Sequence, residues 1–170
     1  MQDPIELIES AYNDYSDAIF RHCYLRVSNR DVGKDIMQDA FIKAYQYAKK
    51  GEKIDNVRAF LYKIANNLII DYFRKAKEAS LDAMKEVGFD PKGSDGADFG
   101  TALDEEVVVR TLNKLRPEDR ELIVMRYIDN LKPREIAVIL GLAANTVSVR
   151  IHRAIKELEP YLKNPHETRV

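Results

Sequence analysis

The sequence predicts an all-α fold: two small helical domains joined by a flexible acidic linker. Three observations predict it. Aliphatic residues recur at helical rather than alternating spacing, and 32% of the 170 residues are charged. Seven glycines and six prolines are too few for a turn-rich all-β protein. Four of those glycines fall in KEVGFDPKGSDGADFGTALDEE (85–106), an acidic stretch without periodicity. The linker is placed at 78–103, between domains at 1–77 and 104–170. Fully stretched it would reach about 80–90 Å, enough to hold two domains more than one DNA turn apart.

Four helices are expected before the linker, three of them with readable bounds. The first spans 4–26, with Pro4 at a first helical position after Asp3. SNRD breaks it, and Asn29 or Asp31 caps the next helix at 31–48. KKGEKIDN (49–56) is a polar loop, and the third helix runs over 56–77. After the linker, helices are expected at 104–114, 117–128, 133–140 and 144–162. Pro117 and Pro133 open two of them, with Glu118, Asp119 and Glu135 complementing the dipole in first turns.

Composition excludes several classes. No apolar run approaches the roughly 18 residues of a membrane span, and the acidic start MQDPIELIES lacks the pattern of a signal peptide. The single cysteine, Cys23, cannot form an internal disulfide, so a reducing cytoplasm is expected. The net charge of −1 conceals segregation: residues 1–14 carry −4, 15–77 carry +6, 78–109 carry −7 and 110–170 carry +4. Each basic block can face a polyanion. His22 beside Cys23 is the one pair that hints at nucleophilic or metal chemistry. Adjacent helical residues point about 100° apart, however, and Cys23 reads as a small core residue. No phosphate loop or metal-ligand spacing appears, so neither enzymatic activity nor a cofactor is expected.

In 144–158, Val147, Ile151, Ala154, Ile155 and Leu158 share one helical face. Asn145, Ser148, Val149, His152, Arg153 and Lys156 recur on the other. Ile136, Ala137 and Leu140 form the inner face of the preceding short helix, and Gly141 supplies the freedom for a sharp turn. This is a helix-turn-helix, whose second helix would enter a major groove. Asn145, Ser148 and Arg153 can meet base edges or phosphates, and Arg150 lies on the flank nearer the backbone. His152 taken alone is more often an inert exposed histidine.

In the first domain, Val32, Ile36, Ala40, Ala44 and Tyr47 form one stripe of the 31–48 helix. Asp35, Gln38, Asp39 and Ile42 form another, which reads as a solvated face or as a dock for a basic helix. The 56–77 helix mixes Phe60, Tyr62, Lys63, Tyr72, Phe73, Arg74, Lys75 and Lys77, the combination that single-stranded nucleic acid requires. Phe60, Ile64 and Leu68 fit a buried stripe.

Two segments then carry a family resemblance covering residues 10–162. LRPEDRELIVMRYIDNLKPREIAVILGLAANTVSVRIHRAIKEL (115–158) resembles the C-terminal DNA-binding domain of bacterial sigma factors. The D-x-x-Q-D-x-F spacing of Asp35, Gln38, Asp39 and Phe41 resembles region 2 of the extracytoplasmic-function (ECF, group IV) RNA polymerase sigma factors of the sigma-70 family. So does the pattern of Asn56, Ala59, Leu61, Ile64, Ala65, Asn67, Asp71 and Arg74. The resemblance implies a sigma factor that directs core RNA polymerase to promoters. It implies that Asp35, Gln38, Asp39 and Ile42 bind the β′ clamp helices, with the β flap as a further contact. It assigns the non-template −10 strand to Asn56, Arg58, Lys63, Asn66, Asn67 and Arg74. The −35 duplex falls to Asn145, Ser148, Val149, Arg150, His152 and Arg153, and an anti-sigma factor is expected as regulator.

The sequence departs from the family pattern in places. Ser148 and Val149 stand where a base and a polar residue are common, which implies an unusual −35 sequence. Lys132 replaces a Ser or Thr helix cap, a loss of about 1 kcal/mol. Asn66 stands where Arg is frequent. The alternative reading is a stand-alone helix-turn-helix regulator, which would bind duplex DNA tightly without polymerase.

Overall fold

The computed structural model describes residues 3–83 and 102–163. The chain divides into two units, Met1–Asp95 and Gly96–Val170.

The first unit holds three helices among its described residues, not the four expected: α1 (Pro4–Val27), α2 (Arg30–Lys49) and α3 (Val57–Ala83). Asp3 caps α1 by accepting from the Ile5 amide at 3.0 Å, ahead of Pro4. Asn29 rather than Asp31 caps α2, its Oδ1 accepting from the Val32 amide at 3.0 Å. The chain passes between α1 and α2 through Ser28 in the left-handed region, at φ 55°. Gly33 sits where α2 crosses α1: a Cβ there would lie 2.9 Å from the Tyr24 Cα and backbone N.

Ile19, Cys23, Ala40, Ala44, Leu61, Ala65 and Ile69 form the center of this core. The stripe expected on α2 is right at its middle and shifted at its ends. Phe41 and Ala48 are buried, whereas Val32 is half-buried and Tyr47 exposed. On α3 the expected core of Phe60, Ile64 and Leu68 is only half-buried, and Leu61, Tyr62, Ala65 and Ile69 are fully buried instead. α3 also continues six residues beyond the expected boundary at 77. The remainder of the expected linker up to 101, and the tail 164–170, lie outside the described residues.

The second unit contains α4 (Ala102–Leu112), α5 (Pro117–Ile123), α6 (Pro133–Leu140) and α7 (Ala144–Lys163). The helix expected over 117–128 changes pitch: from Val124 to Ile128 it is a π-helix. Such a widened turn inserts one residue into the repeat. Arg116, preceding α5, donates to Asp119 Oδ2 through Nε at 3.2 Å and Nη2 at 3.1 Å. That hydrogen bond, together with the Asp119 charge, raises the Arg116 pKa. Leu122, Val124, Met125, Leu131, Ile136, Val147 and Ala154 fill the core.

No single helix among the described residues is long and apolar enough to cross a membrane. Nor does any group of three or more His, Cys, Asp or Glu among them suit a metal ion.

Candidate nucleic-acid and protein interfaces

α6 stops at Gly141, whose φ of 66° lies in the left-handed region that glycine enters without strain, and its amide donates to the Ala137 carbonyl. The helix directions then change by 109°. At the start of α6, Lys132 has no side-chain acceptor for the helix amides. The return half of the cap is present, with the Lys132 amide donating to Glu135 Oε2 at 2.7 Å. This bond offsets part of the loss expected from the lysine.

Val147, Ile151, Ala154 and Leu158 of α7 are buried, with Ile155 half-buried beside them. Ile136 and Ala137 of α6 are buried as expected, but Ile139 takes the place expected of Leu140. With the inner face anchored in this way, Asn145, Ser148, Val149, Arg150, His152 and Arg153 are all exposed. Five of them share one arc, and Arg150 stands off it on the flank. An amide, a hydroxyl, an imidazole, a guanidinium and an aliphatic side chain on one helix face suit base edges, phosphates and a thymine methyl.

In the first unit Asp35, Gln38, Asp39 and Ile42 are exposed along one row of α2, with Ile42 54% exposed. Beside that row lies an open apolar groove of about 430 Å³. Ile8, Glu9 and Tyr12 of α1 line it together with Gln38, Phe41, Ile42 and Tyr45 of α2. Tyr12 meets Phe41 edge to face at 4.9 Å. The α1 contribution was not read from the sequence, although Tyr12 and Ile8, four residues apart, were the available signal.

The six −10 candidates occupy different environments. Lys63, Asn67 and Arg74 are exposed on α3. Arg58 is half-buried with its guanidinium 5.9 Å from the Tyr62 ring centre. Asn56 is exposed but caps α3, accepting from the Ala59 amide at 3.0 Å, so its carbonyl oxygen is engaged. Asn66 is 5% exposed and its Oδ1 accepts from Arg26 Nη1 at 3.1 Å. It ties α3 to α1. The 49–56 loop turns at Gly51, with φ 80°, and carries the Lys53–Asp55 ion pair at 2.9 Å.

A second apolar groove, about 500 Å³, lies wholly within the second unit. Val107, Val108, Ile123, Tyr127, Leu158 and Leu162 are among its walls. Tyr127, on the π segment, is 55% exposed there.

A helix-turn-helix with an exposed hydrogen-bonding face on its second helix fits a DNA-binding protein. Comparisons with known proteins agree. The model for sigma-70 region 2 matches residues 11–79, and that for sigma-70 region 4 matches 105–158. The chain is 34% identical over 166 residues to the ECF RNA polymerase sigma factor SigW of Bacillus subtilis (strain 168), covering 88% of this chain and 86% of that one. It is 26% identical over 164 residues to the ECF RNA polymerase sigma factor SigL of Mycobacterium tuberculosis (strain ATCC 25618 / H37Rv), covering 96% and 93%. The fold is shared with the sigma factor RpoE from Bartonella quintana, solved with the anti-sigma factor NepR, at TM-score 0.77 and 24% identity over 91% of this chain and 96% of that one. It is also shared with CnrH, solved with the cytosolic domain of CnrY, at TM-score 0.67 and 24% identity over 92% and 87%.

The chain belongs to the sigma-70 family and, within it, to the ECF RNA polymerase sigma factors. It is a promoter-specificity subunit that directs core RNA polymerase to initiate transcription, and the reading as a stand-alone regulator is not favoured.

Proposed function

We propose that this chain is a group IV sigma factor, acting in the cytoplasm without catalytic chemistry of its own, in which two tethered domains divide the work. The part of the chain that ends with α3 at Ala83 is the core-binding and −10 domain, the part that begins with α4 at Ala102 is the −35 domain, and the residues between them are the linker. Asp35, Gln38, Asp39 and Ile42 dock on the β′ clamp helices, because a row of acceptors beside an exposed isoleucine suits a basic, partly apolar helix. Lys63, Asn67 and Arg74 contact the opened non-template strand, with Arg58 and Asn56 at the margin of the 49–56 loop. Asn145, Ser148, Val149, His152 and Arg153 meet the −35 duplex, and Arg150 its backbone. The groove of the second unit receives the β flap. An anti-sigma factor holds the protein inactive; RpoE, whose fold it shares, was solved in complex with the anti-sigma factor NepR.

The exposure of the whole recognition face of α7, over an inner face anchored by the buried Val147, Ile151, Ala154 and Leu158, is the observation that carries this reading. The test adds the purified chain to sigma-free core polymerase. A stable complex on a sizing column and specific transcripts from a matched promoter are expected. Tight, polymerase-independent binding to a palindromic duplex would instead support the stand-alone regulator.

A further inference from the structure

The outer face of α7 is centred on an aliphatic side chain. Val147, Ile151, Ala154 and Leu158 are buried and define the inner arc of the helix. At about 100° per residue, Val149 falls within roughly 10° of the direction opposite the middle of that arc. Asn145, His152, Arg153 and Lys156 lie within about 50° of the same direction, and Ser148 and Arg150 stand at the two margins. Val149 is 42% exposed, and the exposed neighbours on its face are polar: Asn145 one turn before it, His152 and Arg153 one turn after. Neither packing nor propensity explains a valine there. It stands opposite the core, and a β-branched residue is a weaker helix former than alanine.

The residue opposite the inner face reaches furthest into a groove that the helix enters. Base-pair edges in the major groove present hydrogen-bonding groups, and their one apolar group is the C5-methyl of thymine. Set against any other group, an isopropyl side chain would strip water from a donor or acceptor and offer no bond in exchange.

We propose that Val149 is a methyl reader: it packs on the C5-methyl of one pyrimidine in the −35 duplex, and selects that base by its methyl rather than by its hydrogen-bonding edge. The C5-methyl of 5-methylcytosine is attached to the same ring carbon. Cytosine methylation at this step therefore strengthens binding as thymine does, which makes −35 affinity responsive to a covalent mark on DNA. The proposal rests on the assignment of α7 to the −35 duplex. Asn145, His152 and Arg153 read the hydrogen-bonding edges around the methyl.

The test reconstitutes holoenzyme with wild-type or Val149→Ala chain and measures its affinity for a matched promoter. Each pyrimidine position of the −35 duplex carries in turn thymine, uracil, cytosine or 5-methylcytosine, opposite its Watson–Crick partner. Thymine and uracil differ only by the methyl, as do 5-methylcytosine and cytosine, whereas the hydrogen-bonding edge differs between the two pairs. At one position wild type is expected to bind the methylated member of each pair about fourfold more tightly, the effect of burying about one carbon. Val149→Ala is expected to bind both members of each pair equally there. Val149 is exposed and alanine is the stronger helix former, so the variant folds, as helical circular dichroism checks.

Equal affinity within both pairs at every −35 position would overturn the proposal. So would a preference in one pair alone, because the methyl would then not be what is read. A preference that survives in Val149→Ala would assign the methyl to another side chain and overturn it as well. The underlying reading fails separately, if replacing the whole −35 sequence leaves initiation unchanged.

Discussion

Gly33→Ala tests whether α1 and α2 are held at one fixed distance. The added Cβ would lie 2.9 Å from Tyr24 Cα, 2.9 Å from its backbone N and 3.2 Å from its Cβ. Carbon contacts relax at about 3.5–4.0 Å, so the crossing must open by roughly 0.6–1 Å. The obstructing atoms belong to the hydrogen-bonded backbone of α1 and cannot rotate aside. Overpacking of this kind costs about 1–3 kcal/mol, and the rigid obstacle places it in the upper half. Alanine returns about 1 kcal/mol of helix propensity. The net is a destabilisation of about 1–2 kcal/mol, which lowers the melting temperature of a unit this size by roughly 5–15 °C. Scanning calorimetry of the full chain reads this shift. Asp35 is two residues along the same helix, so core-polymerase affinity is expected to fall with it. A melting temperature equal to or above wild type would show that propensity outweighs packing and that the crossing is not tight.

Arg153→Ala is expected to weaken −35-dependent initiation by about 1–3 kcal/mol in footprint titrations, leaving core binding intact. Replacing Asp35 and Asp39 together by Ala does the reverse, lowering core affinity with −35 contacts preserved, as measured by competition against a second sigma factor. Gly141→Ala places a Cβ in open space but at φ 66°, so it costs about 1–2 kcal/mol of stability by denaturant titration, with no steric contribution. Asn66→Ala removes one acceptor of the buried Arg26 guanidinium and is expected to lower stability by about 1.5–3 kcal/mol, with Asn66→Asp retaining most of it.

The helix-turn-helix was legible because its signals are local. An apolar stripe at 3.6-residue period, a glycine at the turn and proline at N1 each act within a few residues. The faces of α2 and α7 followed for the same reason. The end of α3 did not, since EASLDA is helix-compatible yet has no apolar stripe, and its acidity resembles the linker that follows. The π segment was missed because Val124–Ile128 has no composition that distinguishes a widened turn from a regular one. The burial of Asn66 was not legible because its partner, Arg26, lies 40 residues away. The groove beside Ile42 was hidden likewise: Ile8 and Tyr12 meet Phe41 and Tyr45 only once α1 and α2 have packed. Pairings between distant helices are the part of this fold that periodicity does not encode.

Photo-crosslinkers placed at Gln38 and at His152 in separate preparations of one initiation complex would test the account most directly. Position 38 is expected to attach to a large polymerase subunit and position 152 to upstream duplex DNA. Attachment of position 38 to DNA, or of position 152 to polymerase alone, would contradict it.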